Sequence, residues 1–200
     1  AGTVRSNPIS KQNLKRLSVA YWRVVVIGAV FTLARFSEAF LVLRALEGGM
    51  AVAYAPLVLI VMNVMYAAGA YPFGKLSDRM SHSRLLAWGL VVLIAADVLL
   101  ACSNQWPWVW VGILLWGLHM AMTQGLLAAM VADTAPADLR GTAFGFFNLL
   151  SGIALLFASG LAGILWDQIG ASFTFAAGAV FSLLALGLIL LDYGAPRIPA

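Results

Sequence analysis

Of 200 residues, 62% are hydrophobic and only 10% are charged, against about 25% charged in a water-soluble globular chain, so there is too little polar surface to cover a soluble globule. The formal net charge is +4, and the single Cys102 excludes an intrachain disulfide and most metal clusters. Apolar runs near the roughly 20 residues that a helix needs to cross a bilayer exclude a transmembrane β-barrel, with its alternating segments of about 10 residues, and define an all-α polytopic membrane protein.

Residues 1–18 are polar and basic, unlike a cleavable signal peptide, and read as a cytoplasmic tail or linker. The chain opens on Ala1 rather than Met, as a fragment of a longer protein would. Six transmembrane helices follow, predicted over 19–43, 52–73, 85–102, 106–132, 141–166 and 171–191, with a second cytoplasmic tail over 192–200. Peptide groups in lipid must be satisfied internally, so these runs are helical. Turn chemistry separates them: Gly48-Gly49, a charged stretch from Gly74 to Leu86, Ser103-Asn104 before Pro107, Asp133 to Arg140 around Pro136, and Asp167 to Gly170. Aromatic residues (Tyr21, Trp22, Trp106, Trp108, Trp110, Trp166, Tyr193) gather where the spans meet the interfaces.

The basic residues fall on one side. Arg5, Lys11, Lys15, Arg16, Arg23, Lys75, Arg79, Arg84, Arg140 and Arg197 share it, the opposite side holds only Arg44, and Arg35 lies within the first span. The positive-inside rule puts both termini in the cytoplasm.

Polar residues inside the spans are the candidate functional groups, because a charge at the bilayer centre costs about 2.5–3.5 kcal/mol on insertion scales and therefore faces protein or water. Arg35 and Glu38 stand three apart in the first span, on one helical face and within pairing reach. Trp116, His119 and Thr123 form one stripe of the fourth span, with Gln124 on a neighbouring face. Asn63 and Tyr66 lie in the second span and Asn148 in the fifth. Asp97, in the third span, reads as a structural hydrogen bond or ion pair. Small residues at spacing four (Gly141 and Gly145; Ser159 and Gly163; Ala121, Gly125 and Ala129) allow close helix contacts.

The charged stretch Gly74-x-Leu76-x-Asp78 returns 89 positions later as Gly163-x-Leu165-x-Asp167. The same offset brings spans one to three onto spans four to six. Three is odd, so the two triplets cross the membrane in opposite senses, a 3+3 inverted repeat. Gly74-x-Leu76-Ser77-Asp78-Arg79-x-Ser81-His82-Ser83-x-x-Leu86 resembles the loop that marks the major facilitator superfamily, with Ser81 where Gly is usual and His82 and Ser83 where basic residues are usual. Asp133-Thr-Ala-Pro136-Ala-Asp138-Leu-Arg140-Gly141-Thr-Ala-Phe-Gly145 is similar to the loop entering that family's eleventh helix. The resemblance covers residues 19–191 and implies the carboxyl-terminal six-helix half of a twelve-helix transporter.

The resemblance also implies roles. It makes Glu38 a carrier of the coupling ion, with Arg35 tuning it or binding an anion, and places Asn63, Tyr66, Trp116, His119, Thr123 and Asn148 around the substrate cavity. Gly74, Asp78, Arg79, Arg84, Asp133 and Arg140 would form a cytoplasmic charge latch. Topological orientation by basic loops is the plainer account of the same charges.

The expected function is secondary active transport of a small solute by alternating access, as proton-coupled efflux, in a multi-pass protein of a bacterial inner membrane. Its expected partners are the solute, a coupling proton, the lipid bilayer, and either a missing amino-terminal half or a second copy. No nucleic acid, metal or cofactor is called for. A non-transporting interaction or scaffold module is the alternative. An enzyme is not expected, since no H-E-x-x-H, G-x-S-x-G, P-loop or Rossmann pattern occurs.

Overall fold

A computed structural model describes residues 14–194; Arg5, Lys11 and Arg197, counted above on the basic face, lie outside them. Among the described residues the chain is helical throughout, without strands, and six helices are long and apolar enough to cross a membrane: Val19–Glu47, Val52–Ser77, His82–Cys102, Trp106–Thr134, Ala137–Gln168 and Ala171–Leu191. The predicted charged stretch from Gly74 to Leu86 is mostly helix. The second span continues to Ser77 and the third starts at His82, so only a four-residue turn, Asp78 to Ser81, joins them.

Two spans are not continuous. The first consists of α1 (Val19–Ala34) and α2 (Ala39–Glu47), parted at residues 35–38. The fourth consists of α5 (Trp106–Thr123) and α6 (Leu126–Thr134), parted at Gln124 and Gly125. The other spans are α3 (Ala55–Ser77), α4 (His82–Cys102), α7 (Arg140–Gln168) and α8 (Ala171–Gly194). The unbroken helix expected over 19–43 is therefore corrected, and with it the placing of Arg35 and Glu38 on one helical face.

The repeat offset of 89 carries Ala34, the last residue of α1, onto Thr123, the last residue of α5. It carries His82, the first residue of α4, onto Ala171, the first residue of α8. Both breaks and both third spans thus share one register, as an inverted repeat requires. Each broken span packs on the middle span of the other triplet, α1 on α7 and α5 on α3, while α4 and α8 pack on each other and behind the broken spans.

Close approach is carried by glycines outside the predicted small-residue stripes. A β-carbon on Gly117 would strike the Met62 carbonyl of α3, one on Gly89 the Thr123 methyl, and one on Gly28 the Phe147 ring. Gly141, Gly145 and Gly163 of α7 have nothing within 4 Å of such an atom. The spans built on α3 and α7 are 17% buried over their apolar windows, against 39–56% for the other four. One pair of symmetry-related helices is thus left largely uncovered within this chain.

At the end opposite the basic face, Arg44 of α2 is buried. Its Nε donates to Leu100 O (2.9 Å), Nη2 to Ser103 O (2.9 Å) and Asn104 Oδ1 (2.6 Å), and Nη1 to Glu47 Oε2 (2.7 Å). The guanidinium fork thereby satisfies carbonyls left open at the C-terminus of α4 and fastens the outer half of span one to span three. Hydrogen bonds to charged groups contribute about 1.5–3 kcal/mol each, and not additively. Arg44→Ala in the full protein is expected to cost on the order of 3 kcal/mol, measured as a fall of several degrees in the thermal unfolding midpoint in detergent. Arg44→Lys should recover only part of it, because an ammonium lacks the fork.

Candidate functional site

The break in span one opens onto a cavity of about 460 Å³. Arg35, Ser37 and Glu38 reach it from the break, Phe31, Thr32 and Phe36 from beside it, Trp116 and Leu127 from the two halves of span four, and Phe147, Ser151 and Leu155 from α7. The break is anchored from both sides. Arg35 N–H donates to Thr32 O (3.1 Å), and Ser37 N–H donates across to Ser159 Oγ on α7 (3.2 Å). Phe36 is drawn inward, where its ring lies 5.4 Å from those of Phe40 and Trp116 and 5.5 Å from Phe175. These contacts take the place of the helical turn.

Arg35 is half-buried with its guanidinium 5.8 Å from the centre of the Phe31 ring. It makes no hydrogen bond to a described side chain and no ion pair within 4.0 Å, and Glu38, also half-buried, is likewise unpaired among the described residues. The helix ends at Ala34, and among the described residues no salt bridge within 4.0 Å joins the two, although their charges still interact. Among the described residues a cation and an anion are thus presented to one cavity with their side-chain hydrogen-bonding capacity unused, beside the buried Trp116, whose Nε1 also has no partner there.

The remaining predicted cavity residues separate into groups. His119 and Thr123 are buried away from the cavity: His119 Nδ1 lies 3.1 Å from Gly89 O, Thr123 Oγ1 donates to His119 O (2.9 Å), and Phe31 packs 5.7 Å from the imidazole. A carbonyl oxygen can only accept, so Nδ1 carries the hydrogen in this contact. Tyr66 and Gln124 line a separate cavity of about 80 Å³, together with Gly74. Asn63 and Asn148 are exposed on α3 and α7, Asn63 bonding back to Leu59 O (2.8 Å). Phe31, Phe36, Ser37, Phe147 and Ser151 were not foreseen as lining residues. The available signal was the polar interruption at residues 35–38 lying in register with Gln124-Gly125.

On the basic face, Asp78 caps the C-terminus of α3, and Arg79, Arg84 and Arg140 are exposed without a described ion pair to it. The contacts that do form are His82 Nδ1 to Asp133 Oδ2 (3.3 Å), joining the start of α4 to the end of α6, and Arg16 to Asp138 (2.7 Å). Ser18 Oγ also donates to Thr134 O (3.2 Å). Exposed pairs of this kind are worth about 0–1 kcal/mol each, weak enough to exchange partners.

Broken spans in matching positions of two inverted triplets, facing one cavity, are a transporter arrangement. The sequence pattern of the Major Facilitator Superfamily matches residues 49–199. The chain belongs to the major facilitator superfamily. It is 34% identical over 173 residues to an MFS-type transporter of Methanocaldococcus jannaschii, covering 84% of this chain and 43% of that protein. It is 32% identical over 153 residues to the inner membrane transport protein YajR of Escherichia coli, 72% of this chain and 32% of that one. The human lysosomal dipeptide transporter MFSD1 is 27% identical over 191 residues, 92% of this chain and 40% of that protein. An auto-inhibited peptide transporter of the POT family superposes with a TM-score of 0.71 over 92% of this chain and 39% of its own, at 18% identity, a likeness of fold. The chain therefore spans 32–43% of the length of these relatives, one six-helix half of the superfamily fold.

Within this superfamily half, the break in span four rests on Gly125, whose φ of +86° is a backbone state that a β-carbon opposes by about 1–2 kcal/mol. Gly125→Ala in the full protein should lower the unfolding midpoint, whereas Gly187→Ala, with nothing within 4 Å of the added carbon, should leave it unchanged or raise it. Equal midpoints would show that the left-handed turn is dispensable.

Proposed function

We propose that this chain forms one half of a secondary active transporter that moves a small solute by alternating access, driven by the proton gradient. The observation that supports this reading best is the pair of breaks. Half-helix ends and an unpaired Arg35 and Glu38 meet at one cavity, where a binding site between repeats is expected. Glu38 is assigned the coupling proton, and Arg35 an anionic group, either of the solute or of Glu38 itself. The wall of Phe31, Phe36, Trp116 and Phe147 favours an amphipathic organic solute over a polyhydroxylated sugar, and so supports efflux. The names of the peptide-transporting relatives are compatible with a solute that carries both charges.

The uncovered flanks of α3 and α7 are assigned to the other half of the transporter, whether an amino-terminal six-helix unit of the same polypeptide or a second copy. The basic face, with both termini, is assigned to the cytoplasm by the positive-inside rule. The contacts His82–Asp133 and Arg16–Asp138 would hold that face closed in one state and part in the other, with Asp78 finding its partner on the other half.

Transport assays in proteoliposomes of the full protein test the assignment. Glu38→Gln should abolish gradient-driven flux while leaving solute binding within about threefold, since an isosteric amide keeps the shape and loses the titration. Arg35→Ala should weaken binding by tenfold or more, the loss of roughly 1.4 kcal/mol or more. Wild-type flux in both variants would sink the reading and return the interaction-module alternative. For the flank, Gly145→Leu fills space that is open within this chain. It is expected to disrupt the full transporter, read as loss of the monodisperse species on size exclusion.

A further inference from the structure

Behind the break, away from the cavity lining, lies a second acidic group. Asp97 of α4 is fully buried, and among the described residues neither carboxyl oxygen has a hydrogen-bond partner. It faces Gly178 of α8, where a β-carbon would stand 2.7 Å from Asp97 Oδ2 and 2.9 Å from the Phe36 ring. The carboxyl and the aromatic residue of the break therefore meet over the same glycine. Ser182, one helical turn beyond Gly178, is also fully buried with an unpartnered Oγ.

No charged group compensates Asp97. Along α4 itself His82 and Arg84 lie about four turns away, and the buried Arg44 of α2, which reaches Leu100 O one turn along α4, is engaged there and with Glu47, Ser103 and Asn104. Described α8 residues up to Leu191 include no titratable side chain. From α5 comes His119, engaged with Gly89 two turns along α4, and from α6 Asp133, engaged with His82. From α3 come Tyr66, Tyr71 and Lys75, the last two packed on each other, and from the break Arg35 and Glu38 on either side of Phe36. None of them forms a hydrogen bond or ion pair with Asp97. Among the described residues the contact at Gly178 therefore offers the carboxyl neither a donor nor a cation.

We propose that Asp97 is a proton-binding site whose occupancy governs the Asp97–Gly178–Phe36 contact, and through it the setting of the break in span one. When the proton leaves, the anion must draw in water or a donor. The α4–α8 contact at Gly178 then loosens, and Phe36 loses the floor on which it rests. The proposal deepens the transport reading, since it gives protons a lever on the break separate from Glu38, yet the proton site itself can be measured without transport.

The test is infrared difference spectroscopy of the full protein in lipid at neutral pH, following the stretch of protonated carboxyl groups. A band that is lost in Asp97→Asn and kept in Glu38→Gln is expected, and titrating the wild type to high pH should remove it together with a change in Trp fluorescence that Asp97→Asn does not show. If Asp97→Asn does not fold, Gly178→Ala, which sets a methyl group against the carboxyl, should shift the band. Absence of any band sensitive to residue 97 or 178 overturns the proposal, as does a band that responds to Na⁺ rather than to pH. Loss of the transport reading, with flux intact in Glu38→Gln and Arg35→Ala, would leave the band and its Asp97 assignment in place.

Discussion

A peptide group that leaves its helix inside a hydrocarbon layer has no water to bond, so the chain can break there only where protein or an aqueous cavity replaces the lost partners. That constraint organises this molecule. At residues 35–38 Thr32 O takes the Arg35 N–H, Ser159 Oγ takes the Ser37 N–H, and the next helix restarts with Phe40 N–H on Ser37 O and Leu41 N–H on Glu38 O. The cavity, the inward turn of Phe36 and the exposure of two unpaired charges to one space all follow from this local exchange. At Gln124-Gly125 the same end is reached by a left-handed glycine.

The arginines of the first span show how one residue type serves two ends. Arg44 has all its surroundings arranged around it, with helix-end carbonyls, an amide and a carboxylate filling the fork. Its charge is spent on holding α2 to α4. Arg35, nine positions earlier, has a ring beside it and no acceptor. A buried arginine with four of its five N–H donors used belongs to the framework, while Arg35 faces a cavity with its side-chain donors unused among the described residues. Asp97 presents the acidic version of the second case in a place with no room for a solute.

The distribution of burial adds a further constraint. Four spans form the packed body, with Trp116, Leu93, Leu100 and Phe175 at its centre, and the two middle spans lie against it with broad apolar flanks. The glycines that let helices touch are on the body's contacts, whereas the α7 glycines face open space.

The sequence by itself determined the class, the six spans, the triplet repeat and the family, because these rest on long apolar runs, on charge placement and on an offset that any reader of the chain can align. It also singled out Arg35 and Glu38, since charges within a span are costly wherever they point. Only the tertiary structure decided where the helices break, for the apolar run through residues 19–43 looks continuous until Ser159 and the aromatic cluster of Phe40, Trp116 and Phe175 compete for residues 36 and 37. It alone separated Trp116, at the cavity, from His119, three positions on and bound to Gly89, and showed His82 rather than an arginine beside Asp133 on the basic face. Among the described residues it also left the Asp97 carboxyl without the hydrogen-bond partner that its position suggested. The reason is common to all of these. Periodicity fixes which residues share a helix face, but what that face meets depends on neighbours far away in the chain, and in a bilayer those neighbours supply every bond that water does not.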